Sequence, residues 1–282
     1  LNWDEVQDDS VLQKIVRKAE KGKRYVFEVL ARDHGIDMII KADCVLIQNA
    51  SAIFIPNDIT EIVHSVMRSL NHKGITTEGR LHAIATYFSI YGFAKQMGIK
   101  DLINPELIID ELVSYFRDKH EVVREVALEI YEDVVSQSTF KQHHYDELLR
   151  LALDPKEKTN LIQKALSLLS EYTKKEFVKS NITDSIMRIL RKNNNEFINA
   201  LDFYLKVIIL VPDYILPQHV REMFKLITEW ESNQNSSSEE NDRVEKLVLV
   251  LKEIVKLKPG MLLPYLSSIM KLLESGNKTV FD

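Results

Sequence analysis

Pro105-Glu-Leu-Ile-Ile-Asp-Glu-Leu-Val-Ser-Tyr-Phe-Arg-Asp118-Lys-His-Glu-Val-Val123-Arg124-Glu-Val-Ala127-Leu128, preceded by Asn104, reads as two helices and the turn between them. Asn104 can cap the first helix. Pro105 suits the first helical position, where an N–H would have no intrahelical acceptor, and Glu106 complements the helix dipole. Leu107, Ile108, Leu112 and Phe116 follow at helical spacing, which predicts a helix ending near Arg117. After the turn Asp118-Lys119-His120, a second amphipathic run carries Val122, Val123, Val126, Ala127, Ile130 and Val134. Two such helices across a three-residue turn predict a helical hairpin.

Outward from this hairpin the same unit recurs with uneven spacing. Downstream, Tyr145 to Leu153 pairs with Thr159 to Tyr172 across Asp154-Pro155-Lys156-Glu157, and Thr183 to Leu190 pairs with Glu196 to Val211 across Asn193-Asn194-Asn195. Pro217 to Trp230 then pairs with Asp242 to Leu257, and Pro259-Gly260 opens a further helix from about Met261 to Leu273. Upstream, Asp58 to Leu70 pairs with Glu78 to Met97. The period is about 40 residues, and because no hairpin can bury its apolar face alone, each must stack on the next. The expected fold is all-α: a right-handed α-solenoid of stacked helical hairpins, one domain over residues 1–282. Residues 1–57 are read as N-terminal hairpins and 58–275 as the repeats. The polar stretch Glu231 to Asn241 is read as a flexible loop inside one repeat, since it cannot bury enough apolar surface to order itself.

Composition agrees with an all-helical chain. With 8 Gly and 7 Pro among 282 residues there are too few turn formers for a sandwich, barrel, propeller or Gly-looped nucleotide fold. Cys44 is the single cysteine, so neither an intramolecular disulfide nor a multi-cysteine metal site can form, which favours a reducing, intracellular compartment, cytoplasmic or nuclear. The longest apolar runs fall far short of the roughly 18 to 20 residues that span a bilayer.

The segment from Pro105 to Leu128 resembles a HEAT repeat in its turn Asp118, the Val123-Arg124 shortly after it, and then Ala127-Leu128. Arg80-Leu-His-Ala83-Ile84 keeps a second-helix fragment of that pattern, and Asp154 with Ala165-Leu166 keeps another. The resemblance implies a ladder between neighbouring repeats made from the turn acid and the second-helix arginine, which gives Asp118 and Arg124 structural roles. It also implies a curved protein-binding surface lined by second helices. Armadillo repeats share this architecture and remain an alternative.

Signatures for chemistry are missing. There is no P-loop, dinucleotide fingerprint, nucleophile elbow or kinase set, and no cofactor is expected. In His120-Glu121-Val122-Val123-Arg124 a zinc protease would need a second His where Arg124 stands. His143 and Glu147, four apart, could offer two metal ligands, but two ligands do not make a site, and no metal is expected. Two charged stripes are the better candidates. Lys14, Arg17, Lys18, Lys21, Lys23 and Arg24 form a basic run suited to phosphate contacts. Glu121, Glu125, Glu129 and Glu132 share one helix face, where like charges repel by a few tenths of a kcal/mol per pair, and this face suits a basic peptide. Tyr87, Phe88, Tyr91 and Phe93 read as core, and Trp3 and Trp230 as packed side chains or interface anchors. The expected function is a non-catalytic scaffold for a protein partner. The rival is a nucleic-acid-binding or DNA-processing protein using residues 14–24, against which the net charge of −5 counts.

Overall fold

The computed structural model describes residues 74–96, 105–136, 138–192, 194–231 and 238–267. Among them every regular element is helical, so the all-α expectation holds. The chain divides into two compact units, Leu1–Thr139 and Phe140–Asp282. The basic run at 14–24, Trp3, Cys44 and the pairing helix at 58–70 lie outside the described residues, as do the side chains of Tyr87, Phe88, Tyr91, Phe93 and Trp230.

In the first unit, α1 spans Thr77–Gln96, α2 Pro105–Tyr115 and α3 Glu121–Val135, and α3 packs on both others. Pro105 is the first residue of α2, as the sequence predicts. The helix closes through tight backbone bonds, with the N–H groups of Phe116, Arg117 and Asp118 donating three residues back. Ile109, Leu112, Val113 and Phe116 are buried, and the Phe116 ring meets Tyr131 of α3 edge-on at 5.3 Å between centroids. That geometry suits the aromatic quadrupole. The seam of α3 is Val123, Ala127, Tyr131 and Val134 at steps of four, four and three. Val122, expected inside, points to solvent instead, because it is one residue, about 100°, off that seam.

The second unit runs through α4 Gln142–Leu153, α5 Thr159–Tyr172, α6 Ile182–Leu190, α7 Phe197–Leu210, α8 Pro217–Glu231 and α9 Ser238–Leu257. α5 packs on α4 and α7, and α7 packs on α5, α6 and α9. α7 contributes a long apolar face to the core, with Phe197, Ala200, Leu201, Phe203, Tyr204, Val207 and Ile208 all buried. At the start of the unit Phe140, Tyr145 and Phe177 form an aromatic cluster, and Phe140 stacks on Tyr172 at 5.7 Å.

Two boundaries differ most from expectation. α9 begins at Ser238 rather than Asp242, so only 232–237 of the expected loop fall between α8 and α9, and those residues lie outside the described ones. Glu239 and Glu240 then occupy the first turn, where negative charge favours a helix. The expected helix from Met261 instead begins as a 3₁₀ segment, Pro259–Tyr265. Pro264 within it has no N–H to donate, and its ring would clash with the carbonyl four residues back in an α-helix. Tyr265 stacks on Phe224 of α8 at 4.8 Å and fastens this segment to the unit.

Candidate partner-binding faces and the contacts that position them

Glu121, Glu125, Glu129 and Glu132 lie on α3 as the spacing requires, with Glu121 and Glu125 half-buried and Glu129 and Glu132 exposed. Asp133 adds a further exposed carboxylate beside Glu132. On α2, burial pushes the Glu111 carboxyl above its usual range.

Asp118 is held by something other than Arg124. Its Oδ2 lies 2.9 Å from Arg80 Nε, with the two side chains 8% and 22% exposed, and its Oδ1 accepts the His120 N–H at 2.8 Å. The Arg80 Nε–H is not aligned for a hydrogen bond, so this contact is an ion pair. Arg124 Nη1 instead donates to the Asp118 backbone carbonyl at 2.7 Å. Arg80-x-x-Ala83-Ile84 in α1 and Arg124-x-x-Ala127-Leu128 in α3 carry the same pattern, so the turn acid of one hairpin reaches the arginine of the helix before it. The side-chain partner of Asp118 is therefore Arg80, 38 residues upstream, and not Arg124.

His143 is exposed and Glu147 is buried, its carboxylate paired with Arg150 Nε at 3.0 Å, so the i,i+4 spacing alone does not present two ligands to solvent. His144, between them in sequence, is fully buried and accepts the Lys141 N–H at Nδ1, 3.4 Å away.

The second unit holds a polar network that sequence reasoning did not find. His219 of α8 is only 1% exposed. Its Nε2 lies 3.0 Å from Asp184 Oδ1 of α6, and its Nδ1 lies 3.3 Å from the hydroxyl of the fully buried Tyr204 of α7. An ionised Asp184 can only accept, which puts the proton on Nε2 and leaves Nδ1 to accept from Tyr204. Each donor then has an acceptor, and one imidazole ties α8 to both helices of the preceding hairpin. Burial pushes the Tyr204 phenol well up, with the Asp184 charge adding to it. With Tyr204 and His219 both buried, the arrangement serves cohesion. The one available signal was the polar opening of α8, Pro217-Gln218-His219, spaced about one repeat after Asp184.

Asp184 is held below the usual carboxylate range, first by the His219 hydrogen bond and then by the Gln218 hydrogen bond and the Arg188 charge. A depressed folded-state pKa contributes stability that is present above the unfolded value, near about 4, and lost as pH falls through the lower folded one. Wild type should therefore exceed Asp184→Asn in urea stability from about pH 7 down to about pH 5, and the difference should shrink below about pH 4. A gap that stays constant down to about pH 2.5 would show that the carboxylate charge contributes nothing.

Other contacts in this unit join successive hairpins. Among first helices and their lead-ins, Lys179 Nζ pairs with Asp146 at 2.8 Å, Gln218 Nε2 donates to Asp184 at 3.2 Å, and Arg191 meets Glu222 at 3.5 Å. Among second helices, Gln163 Nε2 donates to the Asn195 carbonyl at 2.7 Å, Lys206 Nζ to the Glu171 carbonyl at 3.3 Å, and Lys246 pairs with Asp202. Glu196, at the start of α7, is buried, and its Oε2 has no hydrogen-bond partner among the described residues. Its place beside the positive end of the helix partly offsets that burial.

No protein-family model, curated protein or solved structure matches the chain. No helix among the described residues is long and apolar enough to cross a membrane.

Proposed function

We propose that the hairpins stack into an α-solenoid of HEAT or armadillo type that acts as a non-catalytic scaffold for a protein partner. The observation that carries this reading is the recurrence of contacts between successive hairpins about one repeat apart, from 31 residues for Arg191 to Glu222 to 45 for Asp213 to Lys258. Gln163 to Asn195, Lys179 to Asp146, Gln218 to Asp184 and His219 to Asp184 are separated by 32, 33, 34 and 35 residues. A repeating chain in which each hairpin touches the next produces such a recurring step, and stacked hairpins leave one face of every second helix open. On α3 that open face is the acidic stripe, which suits a basic segment. Glu121 to Glu132 extend over roughly 16 Å at 1.5 Å per residue, enough for several basic side chains.

Affinity capture from a lysate followed by mass spectrometry supplies the partner. Reversal of the stripe in Glu125→Lys/Glu129→Lys then tests the face. Exposed charges act mainly on encounter, so association should slow several-fold at low salt and its salt dependence should flatten, while helicity is retained. Unchanged association at low salt would remove the stripe from the binding surface.

A further inference from the structure

Two ion pairs, Asp202 with Lys246 and Asp213 with Lys258, hold α7 and the chain around α9 side by side, with both helices running in the same direction. Leu205 and Ile209 come three and seven residues after Asp202, and Leu249 comes three after Lys246, so helical spacing places all three along the groove between these helices. Ile209 is 49% exposed and Leu249 47%, with Leu205 half-buried between them. The outward residues of neighbouring α5, by contrast, are polar: Asn160, Gln163, Ser167 and Glu171. Large aliphatic side chains left in water beside one another mark an interaction surface rather than ordinary scatter.

The charges around this strip are graded along it. Asp242 and Glu245 lie exposed toward the N-terminal end of α9, and Lys252 toward its C-terminal end. Lys206 of α7 lies in the same C-terminal half, its ammonium bonded to the Glu171 carbonyl. Among the described residues none of these four is in an ion pair. Helices ordinarily carry acidic residues in the first turn and basic ones in the last. A helix laid antiparallel to α7 and α9 would bring its acidic start to Lys206 and Lys252 and its basic end to Asp242 and Glu245.

We propose that the α7–α9 groove receives an amphipathic helix of a partner protein, antiparallel to α7 and α9, with apolar residues at i, i+3, i+4 and i+7 set against Leu205, Ile209 and Leu249. This rests on the scaffold reading above and names the surface and the chemistry of the partner in the second unit.

The probes are two lactam-stapled, fluorescent helical peptides of about 16 residues with the same leucine pattern. One carries Glu in its first turn and Lys in its last, and the other carries them exchanged. Anisotropy titrations on the full chain should show the first peptide binding at least about threefold more tightly at low salt, with the difference fading as salt screens it. Ile209→Asp, which keeps the fold because the residue lies at the surface, should weaken binding by about tenfold or more. Val122→Asp, at an exposed valine on α3 of the first unit, should leave it unchanged.

Equal affinity of the two peptides at low salt, or binding to Ile209→Asp equal to wild type, overturns the proposal. Dimerisation of the chain that is abolished by Ile209→Asp overturns it as well, and assigns the groove to a second copy. If a captured partner binds wild type and Ile209→Asp alike, the groove falls while the scaffold reading stands. If the designed helix binds as expected but capture returns no partner for any face, it is the scaffold reading that fails.

Discussion

Replacing His219 with Ala should destabilise the chain by about 3 kcal/mol in urea unfolding, one of the two largest single-residue effects expected here. The imidazole is buried, so its removal leaves a cavity, and the fully buried Tyr204 hydroxyl loses its acceptor in the same step. Asp184 also loses the donor that does most to hold its carboxyl low. Tyr204→Phe removes the hydroxyl without a comparable cavity and should cost only about 1 kcal/mol. Because both side chains share one hydrogen bond, the double variant should be less destabilised than the two separate losses combined, by about 1 kcal/mol. A loss from His219→Ala below about 1 kcal/mol, typical of a surface site, would mean that the network does not tie the hairpins together.

The second large effect lies in the first unit. Asp118→Ala should cost about 2 to 3 kcal/mol, because the Arg80 guanidinium would be left largely buried without its counter-charge. The loss of the bond from the His120 N–H, which holds the turn, adds to this. Double-mutant cycles separate the two arginines. Arg80→Ala should couple to Asp118→Ala by about 1 kcal/mol or more, whereas Arg124→Ala should couple weakly, because its partner is the Asp118 carbonyl, which survives the substitution. Strong coupling to Arg124 and none to Arg80 would reverse this assignment.

The helix pairs were legible because the signals were local. Pro105 and Glu106 mark a start, and the apolar steps in α5 predict its bounds at Thr159 and Tyr172, which the structure repeats. Where local signals compete, the reading slipped. Val122 looks apolar enough for the core, but the period of α3 is set by Val123, Ala127 and Tyr131. Pro264 stands inside an apolar run that it converts to a 3₁₀ segment.

The site residues were legible only in part. The acidic stripe follows from helical spacing alone, so its shared face could be read directly. The partner of Asp118 could not be read that way: it sits 38 residues upstream, and only the repetition of Arg-x-x-Ala points to Arg80. The link from Tyr204 through His219 to Asp184 joins three helices, and no single window contains it. The exposure of Ile209 and Leu249 has no local signal, since it depends on which neighbours the stack supplies.

Distances between spin labels within the second unit test the central claim, an open row of hairpins presenting its second helices, most directly. With Cys44→Ser as background, labels on exposed Ser167 of α5, Ile209 of α7 and Lys252 of α9 report the three separations. Packed helices lie about 8 to 10 Å apart, so an open row should place α5 and α7, and α7 and α9, at about that axial spacing, with α5 and α9 about twice as far apart. A separation between α5 and α9 equal to that of the neighbours would mean a closed bundle, and would contradict both the solenoid and the scaffold function drawn from it.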